Sequence, residues 1–303
     1  MNRRNFVRQS SGLVLSVWVS SAFKPVFKDK MDRIALGTVL FRYRFKQTKP
    51  KEIPTITNEL KLEDVPAYYK KRFGIRNLEF WSNHVESLEK PYLSQLKAAI
   101  KASGSKLVNV QVDSSYDLAA PDETERQRSL THVREWIDAV AFLGSECVRI
   151  NPGRANGSIE KSIESMKDVN QYAKSKKLIL LTENHFGIEM NPDLHLRIVQ
   201  EAGLDGPGPK NIYTLPDFGN YSQAVRYDAL EKIMPYAYLI SAKADGFNEN
   251  LEHISYDFDR CVQIAEKHGF KGIYSLEQWS GKYQDLDYEK VTDWLIQHVT
   301  RNI

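Results

Sequence analysis

The chain has 303 residues, of which 42% are apolar and 27% are charged, with 16 Gly and 12 Pro, and this composition excludes disordered and collagen-like proteins. The formal net charge of +3 comes from the first 22 residues, which hold three arginines and no acid, so the rest of the chain is neutral. A neutral body disfavours a protein that binds duplex nucleic acid, because phosphate contacts supply most of the nonspecific affinity.

The first 30 residues have the layout of an export signal. A cationic segment with Arg3 and Arg4 precedes an apolar run at 13–23, which is too short for a permanent membrane span. The arginine pair resembles a twin-arginine leader, and a general export signal is the alternative. We therefore predict a signal peptide and a short linker over residues 1–30, cleavage near Ala22, and export to the periplasm.

From residue 34 onward, short apolar runs rich in β-branched residues alternate with longer stretches of helical periodicity. Eight runs are predicted as strands: 34–41, 77–82, 106–112, 147–151, 178–184, 212–218, 237–243 and 272–279. Amphipathic stretches between them are predicted as helices, among them 126–144, 158–176 and 255–270. This alternation, with no GxGxxG turn after the first strand, predicts an α/β fold, a single-domain (β/α)8 TIM barrel over residues 31–303. A doubly wound sheet is the alternative fold.

Two further local features are expected from the same patterns. Ser158 and Ser255 stand where the N-caps of two predicted helices should lie. Cys147 and Cys261 lie in apolar segments, so we expect buried side chains rather than a disulfide or metal ligands.

Polar side chains cluster where the predicted strands end. In a TIM barrel these carboxyl ends meet at one mouth, where catalytic residues lie. The residues concerned are Glu79, Trp81, His84, Asp113, Arg149, Asn151, Glu183, His185, Asp217, Lys243, Glu277 and Trp279. We therefore expect a site that combines several carboxylates with two cations.

Three of these carboxylates point to a metal. Glu183, Asp217 and Glu277 are costly to bury beside apolar strands unless they are paired or hold a cation. One divalent ion, Mn, Zn, Co or Mg, would satisfy them together, and we predict such an ion. For Glu183 and Glu277 the alternative is a salt bridge to Arg149 or Lys243, and for Asp217 the alternative is a cap on the following turn.

Six strand-end residues are predicted to bind the substrate: Trp81, His84, Arg149, Asn151, His185 and Trp279. The two tryptophans would stack on a sugar ring. Each histidine could instead be a hydrogen-bonded structural group.

Four segments resemble the xylose isomerase-like TIM-barrel superfamily, the sugar phosphate isomerases and epimerases. They are LLTENHFG, LPDFGN, YLISAKADGF and HGFKGIYSLEQWSG, and the resemblance extends over about residues 32–300. Together with the leader, they are similar to exported members of this family from Bacteroides-like bacteria.

The resemblance implies roles for individual residues. Glu183, Asp217 and Glu277 correspond to family metal ligands, and Glu183 and Glu277 also correspond to the acid/base pair. The family's usual fourth ligand is a histidine, and Ser241 stands at that position here. Either another group such as His185 or a water completes the shell, or the affinity for the metal is reduced, or the metal has been lost. Lys243, two residues after Ser241, could supply part of the charge of the metal.

The expected function is therefore that of a sugar isomerase or epimerase. Such an enzyme removes a proton next to a carbonyl and passes through an enediolate that a metal or another cation stabilises. A keto-sugar lyase or dehydratase and a non-catalytic carbohydrate-binding barrel are the alternatives. The expected partner is a small sugar, with neither nucleic acid nor a permanent membrane span, and a homo-oligomer is compatible with the sequence.

Overall fold

The computed structural model describes residues 27–52, 55–56, 58–203, 210–280 and 286–303. The segment 1–26, which carries the arginine pair and the apolar run, lies outside these residues. The signal peptide, its cleavage and export therefore stay predictions. In the described part of the chain, no helix is both long and apolar enough to cross a membrane.

The described residues form eight parallel strands in a nearly closed barrel. The strands are β1 (Ile34–Gly37), β2 (Asn77–Trp81), β3 (Lys106–Gln111), β4 (Cys147–Arg149), β5 (Ile179–Glu183), β6 (Ile212–Leu215), β7 (Leu239–Ala244) and β8 (Ile273–Gln278). Their order is β6-β5-β4-β3-β2-β1-β8-β7. Parallel bridges from Thr214 to Ala237 and from Asp217 to Ser241 join β6 to β7. The predicted (β/α)8 TIM barrel is confirmed.

A helix follows each strand. The helices are α1 (Val65–Phe73), α2 (Lys90–Ser103), α3 (Glu123–Leu143), α4 (Ile159–Ser175), α5 (Pro192–Glu201), α6 (Arg226–Ile233), α7 (Phe258–Lys267) and α8 (Tyr288–Asn302). Ser158 caps α4 as expected, because its side chain accepts a hydrogen bond from the Lys161 amide. The expectation for Ser255 is wrong, since α7 begins later and Asp257 is its N-cap.

The first strand is shorter than its apolar run predicts. β1 ends at Gly37, and a 3-10 segment, Thr38–Arg44, follows. Its apolar residues are buried for another reason: the Phe41 ring packs against Tyr69 and Phe73 of α1, with ring centroids 5.8 and 6.1 Å apart. Burial under a helix thus accounts for a pattern that the sequence assigns to a strand.

The barrel interior has two layers. The apolar layer lies towards the amino ends of the strands and comprises Ala35, Val108, Cys147, Leu181, Leu215 and Leu239. Inward-facing side chains recur at every second residue of a strand. Two residues after Cys147, Leu181 and Leu215 come Arg149, Glu183 and Asp217. Together with Glu79, Gln111, Lys243 and Glu277 they form a polar layer at the carboxyl ends of the strands, which we call the charged layer. Both cysteines are free and buried, as expected.

Candidate active site

The charged layer brings together acids and bases that are far apart in the sequence. Arg149, Glu183, Asp217 and Glu277 are all nearly inaccessible to solvent, and the Lys243 side chain is 12% exposed. They come from the ends of five consecutive strands, β4 to β8. The predicted carboxylates and cations therefore share one buried mouth.

Arg149 links two of the carboxylates. Its Nη1 atom lies 2.5 Å from Asp113 Oδ1, and its Nε atom lies 2.9 Å from Glu183 Oε2 without hydrogen-bond geometry. Although burial opposes its charge, these two acids raise the pKa of Arg149, so the guanidinium stays positive. Burial raises the pKa of Glu183 well above its usual value, and Arg149 opposes that rise.

Asp217 is held by four donors. Its Oδ1 atom accepts hydrogen bonds from the backbone amides of Gly219 and Asn220, at 2.7 and 2.8 Å. Its Oδ2 atom accepts one from Ser241 Oγ at 3.1 Å and lies 3.1 Å from Lys243 Nζ. An ionised carboxylate offers about four lone-pair sites, so those of Asp217 are fully used.

Lys243 connects Asp217 to the rest of the charged layer. Its Nζ atom donates a hydrogen bond to Asn220 Oδ1, and Asn220 Nδ2 donates one to Glu183 Oε1 at 3.4 Å. Burial opposes the charge of the lysine, but Asp217, Glu277 and Glu183 together raise its pKa. The Lys243 side chain is therefore a charged ammonium group at neutral pH.

Glu277 lies against a second glutamate, Glu79, a strand-end residue to which the sequence assigned no specific role. Gln111 Nε2 donates a hydrogen bond to Glu277 Oε1 and another, of 3.1 Å, to Glu79 Oε1. Asn109 and Ser275 donate two more to Glu79, at 2.6 and 2.7 Å. Burial raises the pKa of both carboxyl groups, and Glu79 adds to the rise at Glu277. Such a pair holds a proton between its members.

A glycine lies beside this pair of carboxyl groups. A Cβ atom at Gly37 would lie 3.3 Å from Glu277 Cγ and 3.5 Å from Glu79 Oε1. The end of β1 thus leaves room for both carboxyl groups. The sequence signal for Glu79 is an acid in the middle of the otherwise apolar run of β2, where burial without a partner is unfavourable.

The arrangement does not fit the predicted divalent ion. Asp217 has no free lone pair, and Glu183 and Glu277 are engaged by Arg149 and Gln111. Across the described ranges, no group of three or more His, Cys, Asp or Glu side chains could hold a metal ion. Lys243 Nζ lies 3.1 Å from Asp217 Oδ2, within the group of side chains that the predicted ion would contact.

His84 is not placed to bind a substrate, contrary to our expectation. The ring is fully buried, with Nδ1 2.9 Å from Thr38 Oγ1 and Nε2 2.9 Å from Thr48 Oγ1. It stacks on Phe45 with centroids 3.8 Å apart. Burial lowers its pKa to about 3. Both ring nitrogens are occupied, so His84 is a structural residue.

The two tryptophans lie at the rim of the mouth. Trp81 Nε1 donates a hydrogen bond to Asp113 Oδ2 at 2.7 Å, which ties the ring to the Arg149 network. Trp279 is 52% exposed and meets Trp81 edge to face at 6.0 Å. The Arg42 guanidinium lies 4.4 Å from the centre of the Trp279 ring. Trp279 therefore offers an exposed aromatic surface beside the charged layer.

Asn151 and His185 line a cleft next to Glu183. Asn151 Oδ1 accepts a hydrogen bond from the Glu183 amide at 3.1 Å. Burial and the charge of Arg149 lower the pKa of His185 to about 4, so its ring is neutral. In the same cleft, burial raises the pKa of Glu189 to about 7, and its Oε2 atom has no hydrogen-bond partner among the described residues.

The sequence was compared with protein families and with curated proteins. The model of the xylose isomerase-like TIM barrel family matches residues 69–298. That range runs from α1 into α8 and contains the whole charged layer. No curated protein matches closely enough to count as a relative.

Solved structures of similar fold include two epimerases. A 3-keto-D-glucoside 4-epimerase from E. coli has a TM-score of 0.60 at 16% identity, covering 88% of this chain and 99% of its own. A D-psicose 3-epimerase from Clostridium cellulolyticum H10, solved with D-tagatose, has a TM-score of 0.60 at 13% identity, covering 89% and 96%.

A third similar structure contains a metal. A xylose isomerase-like TIM barrel protein from Mycobacterium smegmatis, solved in complex with magnesium, has a TM-score of 0.62 at 12% identity, covering 89% of this chain and 97% of its own. At these identities, all three comparisons show the shared fold.

Proposed function

This chain belongs to the xylose isomerase-like TIM barrel family, and from that premise we propose that it is a sugar isomerase or epimerase acting on a keto-sugar. One observation carries the proposal. Two buried glutamates, Glu183 and Glu277, end separate strands of the barrel on either side of one lysine. Lys243 is in register with Glu277 and is linked through Asn220 to Glu183. A base beside a fixed positive charge is what removal of a proton next to a carbonyl requires.

The glutamates supply the proton transfer. A carboxylate whose pKa is raised by burial is a stronger base than a solvated one, and its acid form returns the proton readily near neutral pH. Burial raises the pKa of both Glu183 and Glu277. With a base on each side of the substrate, one removes the proton and the other returns it on the opposite face, which is epimerisation. One glutamate acting alone would give isomerisation.

The cations stabilise the charge that develops on the substrate. Lys243 and Arg149 are both kept positive by neighbouring carboxylates. A hydrogen bond from either group to the carbonyl oxygen lowers the energy of the enediolate. Asn151 and His185 line the cleft beside Glu183, and Trp279 lies exposed at the rim. We propose that these three residues orient the sugar.

The proposal is tested by deuterium uptake from deuterated water into a panel of keto-sugars, with and without a phosphate group. We expect the wild-type chain to exchange one carbon-bound hydrogen of its substrate, and mass spectrometry of the sugar reports this without knowledge of the product. A folded Glu183→Gln/Glu277→Gln double variant should not exchange it. Uptake with loss of a β-substituent would identify a lyase or dehydratase. Absence of uptake on every keto-sugar would contradict the proposal and favour a carbohydrate-binding barrel.

We also propose that the chain is exported through the leader with Arg3 and Arg4. The cationic start and the short apolar run support this. Peptide mapping of the protein from its native host should find an N-terminus near residue 23. An intact Met1 in cytoplasmic protein would contradict export.

A further inference from the structure

Lys243 stands at the centre of the charged layer. In the parallel register of β7 and β8 it is the partner of Glu277, and its Nζ atom lies 3.1 Å from Asp217 Oδ2. The charge of Glu183 acts on it as well. One ammonium thus faces carboxylates from three strand ends.

The turn after β6 holds this ammonium in place. Asn220 Oδ1 accepts a hydrogen bond from Nζ, and the other end of the same amide contacts Glu183. A Cβ atom at Gly219 would lie only 3.0 Å from Lys243 Cε, so the glycine leaves room for the lysine stem. The turn therefore positions Lys243 in two ways: the Asn220 side chain accepts a hydrogen bond from its ammonium, and Gly219 leaves room for its stem.

We propose that the Lys243 ammonium takes the place of a divalent ion in this site, so that proton abstraction is stabilised by a lysine and needs no metal. The inference rests on the proposed function and deepens it, because it names the group that stabilises the enediolate. The saturated lone pairs of Asp217 support it independently of any substrate.

The chemical step balances without a further reactant. As the C–H bond breaks, the proton passes to a glutamate, the C–H electron pair forms the carbon–carbon double bond of the enediolate, and the carbonyl π pair moves to oxygen. The Lys243 N–H group donates a hydrogen bond to that oxygen. The second glutamate, which starts protonated, then gives its proton to the same carbon from the opposite face as the oxygen electron pair re-forms the carbonyl, so nothing is oxidised or reduced.

The lysine acts as a fixed charge rather than as a nucleophile. Only a neutral amine attacks a carbonyl to form a Schiff base. Lys243 Nζ lies 3.1 Å from Asp217 Oδ2 and donates a hydrogen bond to Asn220 Oδ1, contacts that suit an ammonium rather than a neutral amine. Borohydride treatment of the protein in the presence of its substrate should consequently leave no covalent sugar adduct on Lys243.

The test is a titration with Mn²⁺, made without substrate on metal-stripped full-length protein and followed by calorimetry and by metal analysis. Wild type is expected to bind no Mn²⁺ in the charged layer and to keep its full exchange rate after stripping. Lys243→Met removes the charge, and the freed carboxylates should then bind about one Mn²⁺, which an added Asp217→Asn change should abolish. Lys232→Met, which breaks an exposed pair with Asp193, is the matched control and should behave as wild type.

Other results would overturn the inference. If wild type binds one Mn²⁺ and Asp217→Asn abolishes that binding, the site takes a metal. The same conclusion follows if deuterium exchange appears only after Mn²⁺ is added. If Lys243→Met does not fold, Lys243→Arg keeps the charge and should still exclude Mn²⁺, and Mn²⁺ binding by that variant would count against the inference. Absence of exchange with and without Mn²⁺ would contradict the proposed function, whereas the titration decides the role of the lysine separately.

Discussion

The two layers of the barrel interior share strands such as β4 and β5, but the apolar layer stabilises the fold and the charged layer carries the proposed chemistry. Leu181 and Glu183 are both inward residues of β5, one step of the pleat apart, and both are almost fully buried. The leucine joins the apolar layer and gains from leaving water. The glutamate loses its hydration and is compensated only by Arg149 and Asn220. On β5, a residue that stabilises the fold, Leu181, and a residue proposed to act in the chemistry, Glu183, are thus only two positions apart.

The cysteine and arginine of β4 repeat this difference. Cys147 belongs to the apolar layer, and Arg149 links Glu183 to Asp113. Removing an apolar residue should therefore weaken folding and spare the chemistry. Replacing a charged side chain by a neutral one of similar shape should slow the chemistry and change the free energy of unfolding much less.

The largest effect is expected from Glu277→Gln. A general base contributes about 10²–10⁴-fold, so the exchange rate should fall by roughly that factor. The free energy of unfolding should stay the same or rise, because a neutral amide replaces a buried carboxyl group that lies against Glu79. Exchange kinetics and urea unfolding measure the two quantities. A full exchange rate would refute the acid/base role of Glu277.

Leu181→Ala should show the opposite pattern. Truncation of a fully buried leucine typically costs 2–5 kcal/mol of unfolding free energy, because a cavity replaces its packing contacts. The exchange rate per folded molecule should change little. Urea unfolding with the same exchange assay checks this. A loss of exchange as large as that of Glu277→Gln, in protein that is still folded, would show that the layers are not independent.

The third prediction concerns Glu189 and pH. Burial raises its pKa from 4.5 to about 7, so the folded state binds the proton more tightly than the unfolded state does. This stabilisation is fully present below pH 4.5 and is lost as the pH rises to about 7. Relative to Glu189→Gln, wild type should therefore lose about 3 kcal/mol of unfolding free energy over that interval. Parallel pH curves for the two proteins, measured in urea, would disprove the assignment.

The smallest effect is expected at the rim. Trp279→Ala removes a half-exposed ring, so the unfolding free energy should hardly change. Loss of a stacking contact of about 1 kcal/mol should raise KM roughly fivefold and leave kcat unchanged. Tyr236→Ala, which truncates another exposed ring before β7, is the control and should leave both constants unaltered. A fall in kcat for Trp279→Ala would mean that the ring also positions the reacting atoms.

The fold could be predicted because the alternation of strands and helices is a periodic property of the sequence. The end of β1 could not, since residues buried beneath α1 have the same composition as residues buried in a sheet. The cap of α7 was misplaced because Ser255 and Asp257 are both good N-cap residues.

The candidate site was only partly predictable for a similar reason. Position at a strand end identifies Glu183, Asp217 and Glu277, but it does not show what each side chain contacts. His84 has partners that precede it by 46 and 36 residues, and no local pattern marks them. The pairing of Glu79 with Glu277 joins residues almost 200 positions apart, and the glycine beside them belongs to a third strand.

The most direct test of the division between the layers uses the Glu183→Gln and Glu277→Gln variants and the double variant. Deuterium uptake from deuterated water is measured for the substrate and, separately, for the isomer or epimer that it forms. We predict that neither single variant interconverts substrate and product at the wild-type rate. The folded double variant should take up deuterium into neither sugar. Exchange at the wild-type rate by the folded double variant would contradict the claim that the charged layer performs the chemistry.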